Sequence, residues 1–274
     1  MSDFEPIDDV ELERSAFDVG SDDFSLLRAV ALLPRVAGRA VDVRAVEIEV
    51  NRYADLVAER LDAAGSIVAM HDVFFATAGF RGDEFEYDHP HNSFIDDVLR
   101  RRRGLPISLS VLMTEVAERA GIKAWGLALP GHFLTAVFAD HERFAVVDAF
   151  AAGRLMPPEE VAERAGVPPS ELGEVLQPAS SHAVLMRMLV NLRGSYTRRG
   201  LHEPLARVLS RLLLLRRSDP QLFLARAAAR RFLLDDDGVE ADLDAAERLA
   251  PDDDDVARAV EALRAELKKG QIVN

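Results

Sequence analysis

The spacing of apolar residues along the chain runs from helical to extended and back to helical. Ser21-Asp22-Asp23 stands where a cap belongs and predicts a first helix ending near Leu33, before Pro34. A second helix is predicted over residues 41–64, on an imperfect apolar face of Val46, Ile48, Val50, Ala54, Leu56 and Leu61, and a third over 66–78. A polar loop, GFRGDEFEYDHPHNS, follows at 79–93. A short helix over about 94–103 then ends in four consecutive arginines before Gly104. Pro106 suits the first turn of a helix. Leu109, Leu112, Met113, Val116 and Ala120 recur behind it at helical spacing. Residues 107–113 are apolar on nearly every side, which predicts a central buried helix. Gly121 fits its C-terminal cap.

Beyond Gly121 the period becomes that of strands. KAWGLAL, FLTAVFA and RFAVV alternate or run apolar, so three strands are expected. From about Ser180 the pattern is purely helical. Two similar units, residues 191–220 and 221–251, place Pro220 and Pro251 after corresponding second helices, 31 residues apart. Each reads as a helical hairpin with a glycine at its bend, Gly200 and Gly238. A period in the low thirties is that of helical-hairpin repeats, and two such units need a neighbouring surface to stack on.

Composition narrows the function. A formal net charge of −14 argues against a nucleic-acid or anionic-membrane partner. With no cysteine, disulfides, thiolate metal sites and thiol chemistry are excluded, which suits a cytoplasmic protein. The first 23 residues carry nine acidic side chains and one arginine. They read as an acidic solvated tail over about 1–21, not a signal peptide. No apolar run reaches the ~18–20 residues that span a bilayer.

The candidate chemistry lies in residues 104–150. His132 opens one strand and Asp148 closes the next. A hairpin with its turn centred on Asp140 would set Leu134 opposite Val146, Ala136 opposite Phe144 and His132 opposite Asp148, all on one face. Facing Cβ atoms are ~4.5–5.5 Å apart, near enough for the carboxylate to orient the imidazole. The competing reading is a strand-end histidine and a turn-forming aspartate. A nucleophile would come from the N-terminus of the buried helix, where unpaired N–H groups favour an anion. The hydroxyls there are Ser108 and Ser110. The plainer reading of each is a helix-terminal serine bonding nearby backbone.

Asp88, His89 and His91 could ligate a metal, but a polar loop rimming the site is the preferred reading, and no metal or cofactor is expected. Asn92 and Ser93 suit a cap for the helix at Phe94. Arg100, Arg101, Arg102 and Arg103 suit a helix C-terminus one turn after Asp96 and Asp97. The aspartate runs at 235–237 and 252–255 lack calcium-loop spacing and fit helix caps.

Taken together, GLPISLS, AERAGI, LPGHFL and VVDAF followed by Gly153, with YDHPHNSFIDDVLRRRRG upstream, resemble the bacterial SirB-type family of transglutaminase-like proteins over roughly residues 22–265. That resemblance implies an α+β transglutaminase-like (papain-like) core, with an antiparallel sheet and central helix, over 22–178. It also implies an all-α tetratricopeptide-like helical-repeat domain over 180–267. His132 and Asp148 match the catalytic His and Asp of active transglutaminase-like enzymes. The catalytic Cys has no counterpart, Ser108 being nearest in position. The absent Cys and the repeats point to a pseudoenzyme scaffold, expected in the cytoplasm, that binds a protein or peptide partner through its repeats. The alternative is a serine-dependent acyl transferase or hydrolase using Ser108, His132 and Asp148.

Overall fold

The computed structural model describes residues 16–140 and 143–273. Most of the expected acidic tail lies outside that range, but Phe17 within it is buried. The chain divides into two compact units, one formed by Ser25–Leu33 with Val41–Met188 and the other by Pro34–Ala40 with the C-terminal residues from Leu189.

In the first unit, α1 (Leu26–Ala31) is capped by Ser25, whose Oγ accepts the Arg28 N–H. Ser21-Asp22-Asp23 therefore does not start it. A 3-10 turn, Leu33–Ala37, carries the chain past Pro34. The next helix, α2 (Val43–Ala64), is capped by Asp42. Behind it α3 (Ser66–His71) widens into a π-helical stretch, Asp72–Thr77. The polar loop contains a two-residue strand, β1 (Arg81–Gly82). It pairs in parallel with β2 (Arg103–Gly104), on the far side of α4 (Ile95–Arg101). The N-cap of α4 is Phe94, with no side-chain cap bond, because Asn92 spends its amide elsewhere. Arg102 leaves the helix in the left-handed region at φ 58°.

The central helix, α5 (Pro106–Arg119), buries Ile107, Leu109, Val111, Leu112, Met113, Val116 and Ala117. It packs on α2, β3 and β4. The main sheet is antiparallel in the order β3 (Ala124–Leu129), β4 (His132–Phe138), β5 (Phe144–Asp148), β6 (Arg154–Met156). β6 is a fourth strand beyond the three expected. Alternation divides the faces of β4. Thr135 points to α5, its hydroxyl 2.7 Å from Ser110 Oγ. Leu134, Ala136 and Phe138 point the other way, into a cluster with Leu127, Leu129, Val146, Met156 and Val161. That face is covered by α6 (Pro158–Ala165) and α7 (Leu172–Val175), which supply Val161, Ala165, Leu172 and Val175.

Five helices follow: α8 (Ser181–Arg199), α9 (His202–Leu215), α10 (Pro220–Arg231), α11 (Asp236–Leu249) and α12 (Asp254–Val273). Gly200 makes the expected left-handed bend at φ 62°. Gly238 does not, since it lies inside α11 and donates its N–H to the capping Asp235. Leu234 takes the left-handed bend instead, at φ 58°. Buried Asp242 of α11 binds two arginines of α10: Arg226, through Nη2 to Oδ1 at 2.6 Å, and Arg230, through Nη1 to Oδ2 at 3.0 Å.

Candidate functional site

The hairpin register differs from the expected one. Thr135 meets Val147, Ala136 meets Val146 and Phe138 meets Phe144. Each β4 residue thus pairs with one two positions further along β5 than a turn centred on Asp140 would give. The turn itself is the cause. Ala139 N–H donates to Arg143 O at 2.8 Å. The Asp140 carboxylate accepts the Arg143 N–H and Nε–H at 2.8 and 2.7 Å. A carboxylate that caps the turn in this way shifts the centre by one residue and the pairing by two.

His132 and Asp148 keep the same parity, with Leu134, Ala136 and Val146, so both belong to the sheet face that carries α6. They are not hydrogen-bonded to each other. His132 Nδ1 lies 2.9 Å from Arg164 Nη1 of α6. Arg164 in turn reaches Glu160 at 3.2 Å, and Glu160 also holds Arg154. Those arginines keep the Glu160 carboxyl below its usual range. Asp148 Oδ1 accepts the N–H groups of Phe150 and Ala151, both at 3.0 Å, and so closes the turn into β6. A carboxylate committed to two backbone N–H groups is a turn former by its bonds.

Ser108 and Ser110 lie on α5, on the opposite side of the sheet. Both are wholly buried. The Ser108 hydroxyl donates to the Asn92 carbonyl and accepts the Leu105 N–H at 3.2 Å, so its hydrogen-bonding capacity is taken up by backbone. Ser110 Oγ bonds Thr135 Oγ1 and the Leu134 carbonyl. Its neighbour across the interface is Gly126, where a Cβ would collide with the Phe133 ring.

Asn92 is the centre of a network that spacing did not reveal. It is fully buried. Its Nδ2 donates to the carbonyls of Glu86 and Tyr87 at 2.7 and 3.3 Å, and its Oδ1 accepts Arg101 Nη1 at 2.9 Å. Arg101 Nη2 also binds Asp83 at 2.6 Å, and Asp83 Oδ1 accepts the Glu86 N–H. Burial raises the Asp83 pKa, but the Glu86 N–H and Arg101 outweigh it and hold the carboxyl below its usual range. The residues between Asp83 and Ser108 thus form one polar clasp around β1 and β2. Two neighbouring arginines are also structural. Arg100 pairs with Asp97 at 2.5 Å, and Arg102 stacks over the rings of Tyr53 and Phe80.

The loop histidines do not gather a metal site. His89 and His91 stack with centroids 4.1 Å apart, and His91 Nδ1 lies 2.7 Å from Asp97 Oδ2. No group of three His, Asp or Glu side chains fit to hold a metal ion occurs among the described residues. An apolar cavity of about 640 Å³ opens at the other end of the sheet, lined by Phe144, Val146, Leu155, Met156, Pro157 and Leu172 among others, with Arg143 on its wall. No helix among the described residues is long and apolar enough to cross a membrane.

Comparison with known proteins agrees with this architecture. Residues 41–190 match the transglutaminase-like superfamily. A UPF0162 protein of Xylella fastidiosa strain Temecula1 is 31% identical over 222 residues, 77% of this chain and 79% of its own length. A UPF0162 protein of Pseudomonas aeruginosa is 36% identical over 132 residues, 47% of each chain. Human F-box only protein 21 is 28% identical over 144 residues, 49% of this chain and 22% of its own length. No solved structure matches.

Proposed function

This chain belongs to the transglutaminase-like superfamily, and from that premise we propose that it is a non-catalytic scaffold of SirB type. In this reading it acts in the cytoplasm and binds a protein partner through tetratricopeptide-like helical hairpins. The observation that carries the reading is the state of Ser108. Its hydroxyl is 0% exposed and bonded to the Asn92 carbonyl and the Leu105 N–H. A serine nucleophile needs a base within reach and an open line to substrate. The candidate base, His132, faces the α6 side and is engaged with Arg164, with the sheet between it and α5. Three groups that would have to act together in acyl transfer each hold a separate piece of the fold.

The competing reading is a serine-dependent acyl transferase or hydrolase using Ser108, His132 and Asp148. A fluorophosphonate probe, which reacts with activated serine hydroxyls, separates the two. The scaffold reading expects no stable adduct on the folded chain, and none that Ser108→Ala removes. Stoichiometric labelling of wild type that disappears in Ser108→Ala would establish the enzyme instead.

A further inference from the structure

The face of the main sheet that carries α6 holds a row of three aromatic rings. Trp125 of β3 meets Phe138 of β4 with centroids 4.4 Å apart. Phe138 meets Phe144 of β5 at 5.1 Å, their rings stacked. The register makes this second contact, since Phe138 and Phe144 face each other across the two strands. Lys123 lies over the first two rings. Phe144 ends the row and is 39% exposed, against 7% for Phe138. It opens onto the apolar cavity of about 640 Å³ bounded by β5, β6, α6 and α7. That volume lies inside the ~300–1,000 Å³ range of small-molecule sites.

The walls decide which chemistry fits. Val146, Leu155, Leu172 and Leu176 supply hydrocarbon. Pro157 and Pro158 have no N–H to offer. The nearby acceptors are taken. The Pro157 carbonyl accepts the Val161 N–H at 3.1 Å, and the Leu172 carbonyl accepts the Leu176 N–H at 3.1 Å. The Leu176 carbonyl accepts Trp125 Nε1–H at 3.2 Å, and Met156 Sδ accepts Arg154 Nη2 at 2.9 Å. Arg143, the one charged residue of the lining, is held by Asp140 through Nε at 2.7 Å and Nη2 at 2.6 Å. Its charge is already countered. An ionised ligand would enter without a compensating partner, which is costly. A neutral apolar one gains by covering Phe144 and the 54% exposed Leu155, in proportion to the area removed from water. Among such ligands a ring does better than a chain, because an aromatic pair is worth more than its buried area. Proline rings and paired carbonyls hold the walls in place, so little ordering is needed on binding.

We propose that this cavity binds a neutral, flat aromatic molecule whose ring continues the Trp125–Phe138–Phe144 row. The site involves neither Ser108 nor the helical hairpins. Its failure would leave the non-catalytic reading standing, and labelling of Ser108 would leave this site standing.

Two matched probes test it on the full chain. 1-Anilinonaphthalene is neutral, and 1-anilinonaphthalene-8-sulfonate carries the same rings with one negative charge. Both brighten on entering an apolar site. The neutral probe should bind at one site, and the sulfonate about tenfold more weakly, since its charge finds no free partner. Phe144→Leu should weaken the neutral probe about fivefold, the value of one ring pair. Leu172→Trp, which fills the cavity from α7, should abolish its binding. Melts followed by circular dichroism establish that both variants remain folded, and because they act from different elements, either alone decides the matter. No brightening with wild type, or undiminished binding in a folded Leu172→Trp, would overturn the site. Tighter binding of the sulfonate would overturn the neutral ligand, and its loss in Arg143→Gln would assign the guanidinium to a charged headgroup instead. A dimer in light scattering that the neutral probe dissociates would overturn the small-molecule occupant in favour of a second copy of the chain.

Discussion

Two carboxylates of the sheet-bearing unit, the buried Asp83 and the part-buried Glu115, are pushed in opposite directions, and their effects on stability oppose each other. Glu115 of α5 is raised, because desolvation outweighs its bond to Arg119. Its folded state holds the proton more tightly than the unfolded chain does. Its contribution is therefore full below the ordinary carboxylate pKa and is lost as pH rises through the folded value. Glu115→Gln should remove that loss, giving a flatter stability curve above about pH 4.3 and a higher midpoint at pH 7 in urea. A variant less stable than wild type at pH 7 would mean that the Arg119 pair prevails. Asp83, held low by the Glu86 N–H and Arg101, works the other way. Its stabilisation is present above the ordinary value and is lost as pH falls through the folded one. Ser108 carries the residue-scale test of role. Ser108→Ala takes one hydrogen bond each from the Leu105 N–H and the Asn92 carbonyl, which stay bonded to each other at 3.1 Å, and should cost about 0.5–1.5 kcal/mol in denaturant melts. The expected signature is structural loss without loss of any labelling. The sequence showed this hydroxyl at the start of the buried helix, and the plainer of its two readings agrees with its bonds. The Asn92 carbonyl that receives its proton, sixteen residues earlier, leaves no periodic trace.

At the scale of elements, α5 and the α10–α11 hairpin show two ways of paying for burial. Leu112 of α5 is fully buried, so Leu112→Ala should cost on the order of 2–5 kcal/mol. A change within ~0.5 kcal/mol, as at surface sites, would make the helix peripheral. In the hairpin, Asp242 is buried between Arg226 and Arg230. Asp242→Ala leaves two cations without their partner and should cost about 3–5 kcal/mol. Asp242→Leu with Arg226→Met, which removes both signs from the closest contact, should recover part of it. A double variant no better than Asp242→Ala would show that packing, not charge, sets the loss. Elements with a strong period were legible from the residues: α2, α5, β3, β4 and β5 stand within a few residues of their expected places. Those without one were not. β1, β2 and β6 are two or three residues long, too short to show a period of two. The N-cap of α1 is Ser25, which spacing did not single out from the three polar candidates before it.

At the scale of the molecule, α8 decides how separable the two units are. It is one helix whose residues through Met188 belong to the sheet-bearing unit and from Leu189 to the helical one. Within the sheet-bearing unit Val184, Leu185 and Met188 are buried. There Arg187 donates to the Leu129 carbonyl at 3.1 Å and lies over the Phe133 ring. A fragment beginning near Ser180 would expose that face to water. It should aggregate or melt well below the full chain by circular dichroism. A soluble fragment with a cooperative, fully helical melt would show the helical unit to be self-sufficient.

What the amino-acid sequence determined by itself is the central helix, the three longest strands and the helical end of the chain. All of these follow from local period, caps and breakers, which act over one or two turns. What the tertiary structure decided is which side of the sheet each chemical group faces and what it touches. A turn capped by Asp140 and Arg143 moved the register by two. His132 went to Arg164, thirty-two residues away, and Asp148 to the turn that follows it. The physical reason is reach. Parity along a strand is readable from spacing, but register depends on the turn's hydrogen bonds. The partner of a side chain depends on whichever distant element packs against that face.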